Sequence, residues 1–217
     1  MGLDMYLYKG KSERGYTPTQ LIGMSQQASF IKEYRTYKQM IEEPSKLDLD
    51  AFSNRFEFEE TEKEKKIRIL EHIDQFLAYG YNRYESIKDK YDEEFLNFLE
   101  EYRYEDIGYW RKANAIHNWF VSELQDGIDD QRITEVPVDK LLELQGICEQ
   151  ILAINKTNKR EAVLIADKKL PPVSGFFFGS TEYDESYFQD LEETVNIIKK
   201  ALRGLEERDV IFYSCWW

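Results

Sequence analysis

The sequence predicts an α+β fold, in which a small, mostly antiparallel sheet packs with helices and carries an acidic helical insertion. Apolar and polar residues alternate at the N-terminus, and the C-terminal string VIFYSCWW is rich in β-branched and aromatic residues, as is typical of strands. Between these ends, most apolar residues recur every three or four positions, which is the spacing of an amphipathic helix. Strands and helices grouped in this way along the chain favour the α+β class.

The N-terminal segment predicts a strand followed by a helix. Residues 3–8, LDMYLY, alternate so that the strand has one apolar face. A helix follows, because Thr17 is a suitable N-cap, Pro18 is a suitable first residue and Gln20 completes a capping box. Helical spacing continues to about Glu43, where a proline follows.

A strongly acidic stretch occupies residues 57–106, with 16 acidic and 8 basic side chains. Its apolar residues keep helical spacing on either side of YGYN at 79–82, so we predict a helical hairpin whose outer side is polar. We interpret residues 10–106 as an insertion in a core domain formed by 1–9 and 107–217. The acidity is typical of a solvated helical face, and a surface for a basic partner is the less favoured interpretation.

The segment Tyr109–Phe120, YWRKANAIHNWF, is predicted to begin a helix that runs to about Gln125 and ends at Gly127. At about 3.6 residues per turn, one stripe of this helix is apolar and faces the core, and Lys112 points away from the adjoining polar sector. That sector collects several hydrogen-bond donors beside a tryptophan, which suits a planar or phosphorylated ligand. It equally fits a helix boundary at which His117 is buried and satisfied. The sector consists of Trp110, Arg111, Asn114, His117 and Asn118.

The C-terminal half predicts a further helix, a short strand and another helix before the closing strand. Apolar residues between 141 and 151 share one helical face, which includes Cys148. The aromatic triplet Phe176–Phe178 predicts the third strand of the sheet. Ser180 or Thr181 is a suitable N-cap for the helix that follows.

The glycine-flanked string SGFFFGST at residues 174–181 has two interpretations. Backbone amides at a helix N-terminus form a natural anion site, which favours a bound phosphate. The carboxylates that follow at 182–185 instead satisfy the helix dipole themselves. The phosphate interpretation therefore requires that Arg111 face the same pocket.

Composition disfavours several classes of function. The formal net charge is −13, which opposes binding to nucleic acid or anionic membranes, and no apolar run has the length of a membrane span. The chain has two cysteines and two histidines, in none of the spacings of common metal or catalytic motifs. Asp126, Asp129 and Asp130 lack the further oxygen ligands of a calcium loop, so we expect no metal and no cofactor. The low cysteine content fits a reducing cytoplasm.

Long strings in this chain are similar to those of a family of small bacteriophage and prophage proteins. They are MGLDMYLY, GYWRKANAIHNWFV, QDGIDD, SGFFFGSTEYDESYFQDLEET and FYSCWW, and they span the first nine residues and residues 107–217. The resemblance implies phage origin, action in the host cytoplasm and an accessory role such as anti-defence. Two departures accompany it: residues 10–105 replace a shorter connection, and DDQRITEVPV lacks the cysteine that commonly follows DD in the family. The second departure argues against a metal role there.

The leading hypothesis is a non-enzymatic accessory protein that binds and sequesters a nucleotide-type small molecule. In it, Trp110 or Phe178 stacks a base, and Arg111 and His117 hold phosphate. The alternative is an acidic, DNA-mimic-like inhibitor whose helical insertion docks on a basic host protein, and catalysis by His117 has the least support. No direct contact with nucleic acid or membrane is expected, and the oligomeric state stays open. The predicted ligand-binding residues are Trp110, Arg111, Asn114, His117, Asn118, Phe178, Ser180, Thr181 and Tyr183.

Overall fold

The computed structural model describes residues 2–43, 61–175 and 177–217. Over these residues the chain has seven helices and one sheet of four strands. The predicted α+β class is therefore confirmed. Residues 44–60 of the predicted insertion, and Phe176 of the predicted aromatic strand, lie outside the described residues.

The chain divides into two compact units. Unit 1 consists of Met1–Gln20 and Arg103–Trp217, and unit 2 of Leu21–Tyr102. The insertion predicted at 10–106 thus overlaps unit 2, while both of its ends belong to unit 1.

The sheet of unit 1 joins the two ends of the chain. The strands are β1 (Asp4–Lys11), β2 (Tyr104–Arg111), β3 (Thr134–Glu135) and β4 (Asp209–Trp216). They lie in the order β2-β1-β4-β3, and all neighbouring strands are antiparallel. The two strands predicted from the termini pair at the centre of the sheet, where Met5 lies opposite Cys215.

The aromatic triplet does not form the predicted strand. Phe177 lies in a turn with a φ of 63°, and Phe178 follows it outside any strand. The prediction is therefore wrong for these two residues, because a left-handed backbone angle interrupts an extended chain.

The edge strand β2 occupies residues that the sequence assigned to a helix. Tyr109 and Arg111 are exposed and Trp110 between them is 1% exposed, which is the alternation of a strand. Trp110 lies opposite Met5 of β1. The predicted helix begins only at Asn114, so its first five residues were assigned wrongly.

The helices follow the predicted periodicity more closely than the predicted boundaries. The capping box is present, since the Thr17 N–H donates to Oε1 of Gln20 at 2.9 Å and the first helix begins at Pro18. The break predicted at 79–82 is instead at 88–92. The last helix is capped by Asp184, whose Oδ1 accepts from the Tyr187 N–H at 3.1 Å, and not by Ser180 or Thr181. The helices are α1 (Pro18–Glu42), α2 (Glu62–Ile87), α3 (Glu93–Glu101), α4 (Asn114–Leu124), α5 (Val138–Asn155), α6 (Lys159–Lys169) and α7 (Glu185–Leu202).

The core of unit 1 lies between one face of the sheet and the helices α4, α5 and α7. The inward residues Met5 and Leu7 of β1 are fully buried, as is the predicted stripe of α5 that contains Cys148. Helix α7 packs on β2, and α5 packs on both α6 and α7. This packing brings the end of β2 beside the start of α7.

Candidate functional site

Strand β2 passes into helix α4 through Lys112 and Ala113. Lys112 has a φ of 61°, which residues other than glycine rarely adopt, and its N–H donates to the Leu3 carbonyl at 2.8 Å. The link turns the chain so that Arg111 at the end of β2 and Asn114 at the start of α4 border one cavity.

The side chain of Asn114 joins this link to the loop that precedes α7. Its Nδ2 donates to the carbonyl oxygens of Phe178 at 3.1 Å and Ser180 at 2.8 Å. Its Oδ1 accepts from the Val173 N–H at 3.2 Å. Because its donors and its acceptor are engaged within the protein, Asn114 positions the cavity wall and is not free for the predicted ligand contact.

Gly179 lets the loop approach the link closely. It has a φ of 98°, and a Cβ there would lie 3.1 Å from the Cβ and 3.2 Å from the carbonyl oxygen of Lys112. A larger residue would be strained by both its backbone angle and this contact. The two segments singled out in the sequence therefore meet at Gly179 and Lys112.

A cavity of about 240 Å³ lies between the two segments and the first turns of α7. Of the predicted site residues, Arg111, Asn114 and Ser180 line it. Its walls carry charges of both signs, arranged as a cationic side from β2 and α4 and an acidic side from α7 and the preceding loop.

The cationic side is formed by Arg111, Lys112 and the start of α4. Arg111 has a side chain that is 56% exposed, with Nη1 at 3.4 Å from Oδ1 of Asp4. Helix α4 has no side-chain cap, and Ala115 of its first turn lines the cavity. Free amides at a helix N-terminus attract anions. Lys112 was predicted to point elsewhere, because its segment was assigned to a helix.

The acidic side contains Glu182, Asp184 and Asp190. Burial, with a smaller effect of the neighbouring Glu193 and Asp184, raises the pKa of Asp190 to about 7. Near neutral pH its carboxyl group therefore donates as well as accepts hydrogen bonds. Asp190 could not be predicted from the sequence, since an acidic residue among several others in an amphipathic helix carries no local sign of burial.

The two aromatic rings predicted to stack a base are inside the core. Trp110 is 1% exposed, and its Nε1 donates to Oγ1 of the buried Thr194 at 2.9 Å. Phe178 is 7% exposed and meets the ring of His117 edge-on, with centroids 5.3 Å apart. Neither ring offers a free face to a ligand.

His117 also lies away from the cavity. It is 1% exposed, with Nδ1 at 2.8 Å from Oη of Tyr213 and Nε2 at 2.9 Å from Oδ2 of Asp129. Its predicted role in holding phosphate at the Arg111 side is therefore not met. These contacts fit the other interpretation of the sequence, in which His117 is a buried and hydrogen-bonded imidazole.

Cys215 of β4 lies beside the His117–Asp129 pair. One donor atom from each of His117, Asp129 and Cys215 lies within 4.8 Å of the other two. Burial, with a smaller effect of the Asp129 charge, raises the pKa of the Cys215 thiol to about 11. These three residues are the group in the described part of the chain that could hold a metal ion.

The remaining predicted site residues lie around the loop and outside the cavity lining. Nδ2 of Asn118 donates to the Pro171 carbonyl at 3.4 Å. The Tyr183 hydroxyl donates to Oδ1 of Asp167 at 3.0 Å, and burial together with this contact raises the pKa of Tyr183 to about 12. Thr181 is exposed in the loop.

The acidic helices of unit 2 carry ion pairs of their own. Nη1 of Arg35 lies 2.5 Å from Oε1 of Glu93, and Lys32 pairs with Glu100. Such exposed pairs contribute only about 0–1 kcal/mol each to stability, yet they place cations among the carboxylates. The hypothesis of a basic partner protein stays a prediction.

No protein-family model, curated protein or solved structure matches this chain. Its resemblance to bacteriophage proteins accordingly stays a prediction. Within the described part of the chain, the helices lack the combination of length and apolar character that crossing a membrane requires.

Proposed function

We propose that this chain binds a small ligand of the nucleotide type in the cavity between β2, α4 and α7, without catalysing a reaction on it. The supporting observation is that one cavity has a cationic side and an acidic side within reach of the same small molecule. A nucleotide has the matching groups, since its phosphate is anionic and its sugar and base carry hydrogen-bond donors.

In this proposal, the phosphate binds at the cationic side. The guanidinium of Arg111 is a planar fork that suits a phosphate, and Lys112 adds a second positive charge. The N-terminus of α4, which has no side-chain cap, adds backbone N–H donors. Ser180 of the loop before α7 supplies a hydroxyl group.

In this proposal, the sugar binds at the acidic side. Carboxylates such as Glu182 and Asp190 accept hydrogen bonds from hydroxyl and amino groups. With its pKa near 7, Asp190 repels an adjacent phosphate less than a fully ionised carboxylate would. This arrangement replaces the base stacking predicted from the sequence, because Trp110 and Phe178 are buried.

The size of the cavity favours a partly enclosed ligand. Its volume of about 240 Å³ is below the range of about 300–1,000 Å³ that encloses a drug-sized molecule. The phosphate and sugar therefore lie inside and the base lies at the mouth. Together with the resemblance to bacteriophage proteins, this supports sequestration of a nucleotide signal of the host as the biological role.

The proposal predicts that Arg111→Ala weakens ligand binding by about 10- to 100-fold, because a hydrogen bond to a charged group contributes about 1.5–3 kcal/mol. Isothermal titration calorimetry against nucleoside mono- and diphosphates and cyclic dinucleotides measures the effect. Arg203→Ala is the matched control, since Arg203 is exposed at the opposite end of α7, and it should bind as the wild type does. Absence of binding to every nucleotide in the panel, or equal affinity for Arg111→Ala and wild type, would contradict the proposal.

A further inference from the structure

Three residues of different chemistry come together near the C-terminal end of β4. His117 comes from α4, Asp129 from the loop between α4 and β3, and Cys215 from β4. Their donor atoms lie within 4.8 Å of one another. None of the three lines the cavity of the proposed nucleotide site, so this cluster is a separate feature.

We propose that Nε2 of His117, a carboxylate oxygen of Asp129 and Sγ of Cys215 bind a zinc ion. A mixed set of nitrogen, oxygen and sulfur donors suits zinc, whereas calcium and magnesium prefer oxygen donors alone. Zinc takes ligands at about 2.0–2.3 Å, so the ligands of one ion are somewhat closer together than 4.8 Å.

The residues around the cluster hold its ligands in place. The Tyr213 hydroxyl lies 2.8 Å from Nδ1 of His117. In the zinc-bound form this hydroxyl accepts the Nδ1 proton, so that the lone pair of Nε2 faces the ion. Nε1 of Trp217 donates to Oδ1 of Asp129 at 3.1 Å, which leaves Oδ2 facing His117. Outer hydrogen bonds of this kind orient the ligands in zinc sites.

Without a metal, hydrogen bonds link Asp129, His117 and Tyr213, and the fully buried Cys215 thiol bonds to the Tyr213 hydroxyl. In the zinc site, one donor atom each of His117, Asp129 and Cys215 contacts the same ion. The two arrangements therefore differ in whether Sγ of Cys215 binds a metal.

The cluster is accessible to solvent through Asp129. The side chain of Asp129 is 28% exposed and that of His117 is 1% exposed, so an ion enters from the Asp129 side. Three protein ligands are the number found in zinc sites that keep a fourth position for water or a substrate atom.

Cobalt titration tests the site, because cobalt(II) occupies zinc sites and reports a bound thiolate by charge-transfer absorption in the near ultraviolet. The full chain, freed of metal with a chelator, should bind one equivalent of cobalt with this absorption, which zinc then displaces. Cys215→Ser should lose the charge-transfer band. Cys148→Ser is the matched control, since Cys148 is the other cysteine and lies buried in α5, and it should keep the band.

A second variant distinguishes loss of zinc binding from misfolding. Asp129→Asn keeps the shape of a partly exposed side chain, and we expect it to bind zinc at least about 10-fold more weakly, as loss of one oriented contact does in zinc sites. Zinc should raise the melting temperature of the wild type and of Cys148→Ser, and raise that of Asp129→Asn less at equal concentration. No charge-transfer band in the wild type, retention of the band in Cys215→Ser, or wild-type zinc affinity in Asp129→Asn would overturn the proposal.

Discussion

Asp190 is a carboxylic acid whose pKa the fold moves to about 7, chiefly by burial. The folded chain therefore holds a proton at Asp190 over a range of pH in which the unfolded chain has lost it. Asp190 therefore contributes fully to the stability of the folded state below the ordinary pKa of an aspartic acid. This contribution is lost as the pH rises through about 7. Between about pH 4 and pH 7, this residue makes the folded state less stable with each step upward in pH.

We predict that Asp190→Asn flattens that dependence. At pH 8 the variant should exceed the wild type in free energy of unfolding by about 1–2 kcal/mol, a value reduced for solvent screening of a partly exposed group. Urea unfolding at pH 4, 6 and 8 measures it. Glu192→Gln, an exposed change on the same helix, should leave the pH dependence unaltered, and equal slopes for Asp190→Asn and wild type would refute the assignment.

Individual residues of the site show why only part of the site can be predicted from the sequence. Arg111, Asn114 and Ser180 border one cavity, because they belong to the two segments that meet there. Trp110 does not, since its Nε1 bonds to Thr194, 84 residues away. Nothing near Trp110 in the chain indicates that partner.

At the scale of elements, β2 packs on α7 through Gly108. A Cβ at this position would lie 2.2 Å from Cγ2 of Ile197, a separation that requires Ile197 or the strand to move. Because the branched side chain of Ile197 has few rotamers, the close approach of strand and helix depends on the glycine. The same approach places the end of β2 beside the acidic side of the cavity.

Gly108→Ala should therefore lower the free energy of unfolding by about 1–3 kcal/mol, the usual range for overpacking. In an Ile197→Ala background the same change should cost less than about 0.5 kcal/mol, because the obstructing methyl group is gone. Denaturant unfolding of the four proteins in this cycle gives the coupling. Gly146→Ala in α5 is the control, since no atom would contact its Cβ, and it should raise stability by about 0.5–1 kcal/mol. Equal costs in the two backgrounds would contradict the packing described.

The elements whose type differs from the prediction are those that tertiary contacts determine. Residues 109–111 fit both a helical wheel and the alternation of a strand, and pairing with β1 selects the strand. Phe177 has high strand propensity, but its backbone is left-handed in a loop held by Asn114. Tertiary contacts override local propensity in both places.

At the scale of the whole molecule, the chain forms two compact units with separate cores. All four tryptophans lie within Arg103–Trp217 of unit 1. Tryptophan fluorescence consequently reports on unit 1 alone, whereas far-ultraviolet circular dichroism reports on the helices of both units.

We expect the two cores to respond separately to cavity-creating changes. Ile73→Ala removes a fully buried side chain from unit 2 and should destabilise that unit by about 2–5 kcal/mol. In urea it should lower the transition seen by circular dichroism and leave the fluorescence midpoint in place. Ile151→Ala, an equally buried change in unit 1, should lower the fluorescence midpoint. If Ile73→Ala shifts both signals equally, the units unfold as one.

The sequence by itself determined the α+β class, the two terminal strands, the capped start of α1 and the buried stripe of α5. Each of these depends on interactions within a few residues, which leave a period or a cap in the sequence. Tertiary structure alone decided the pairing of β2 with β1, the cavity beside Arg111 and the convergence of His117 with Asp129 and Cys215. His117 and Tyr213 are 96 residues apart, and contacts over such separations form only when the sheet brings both ends of the chain together.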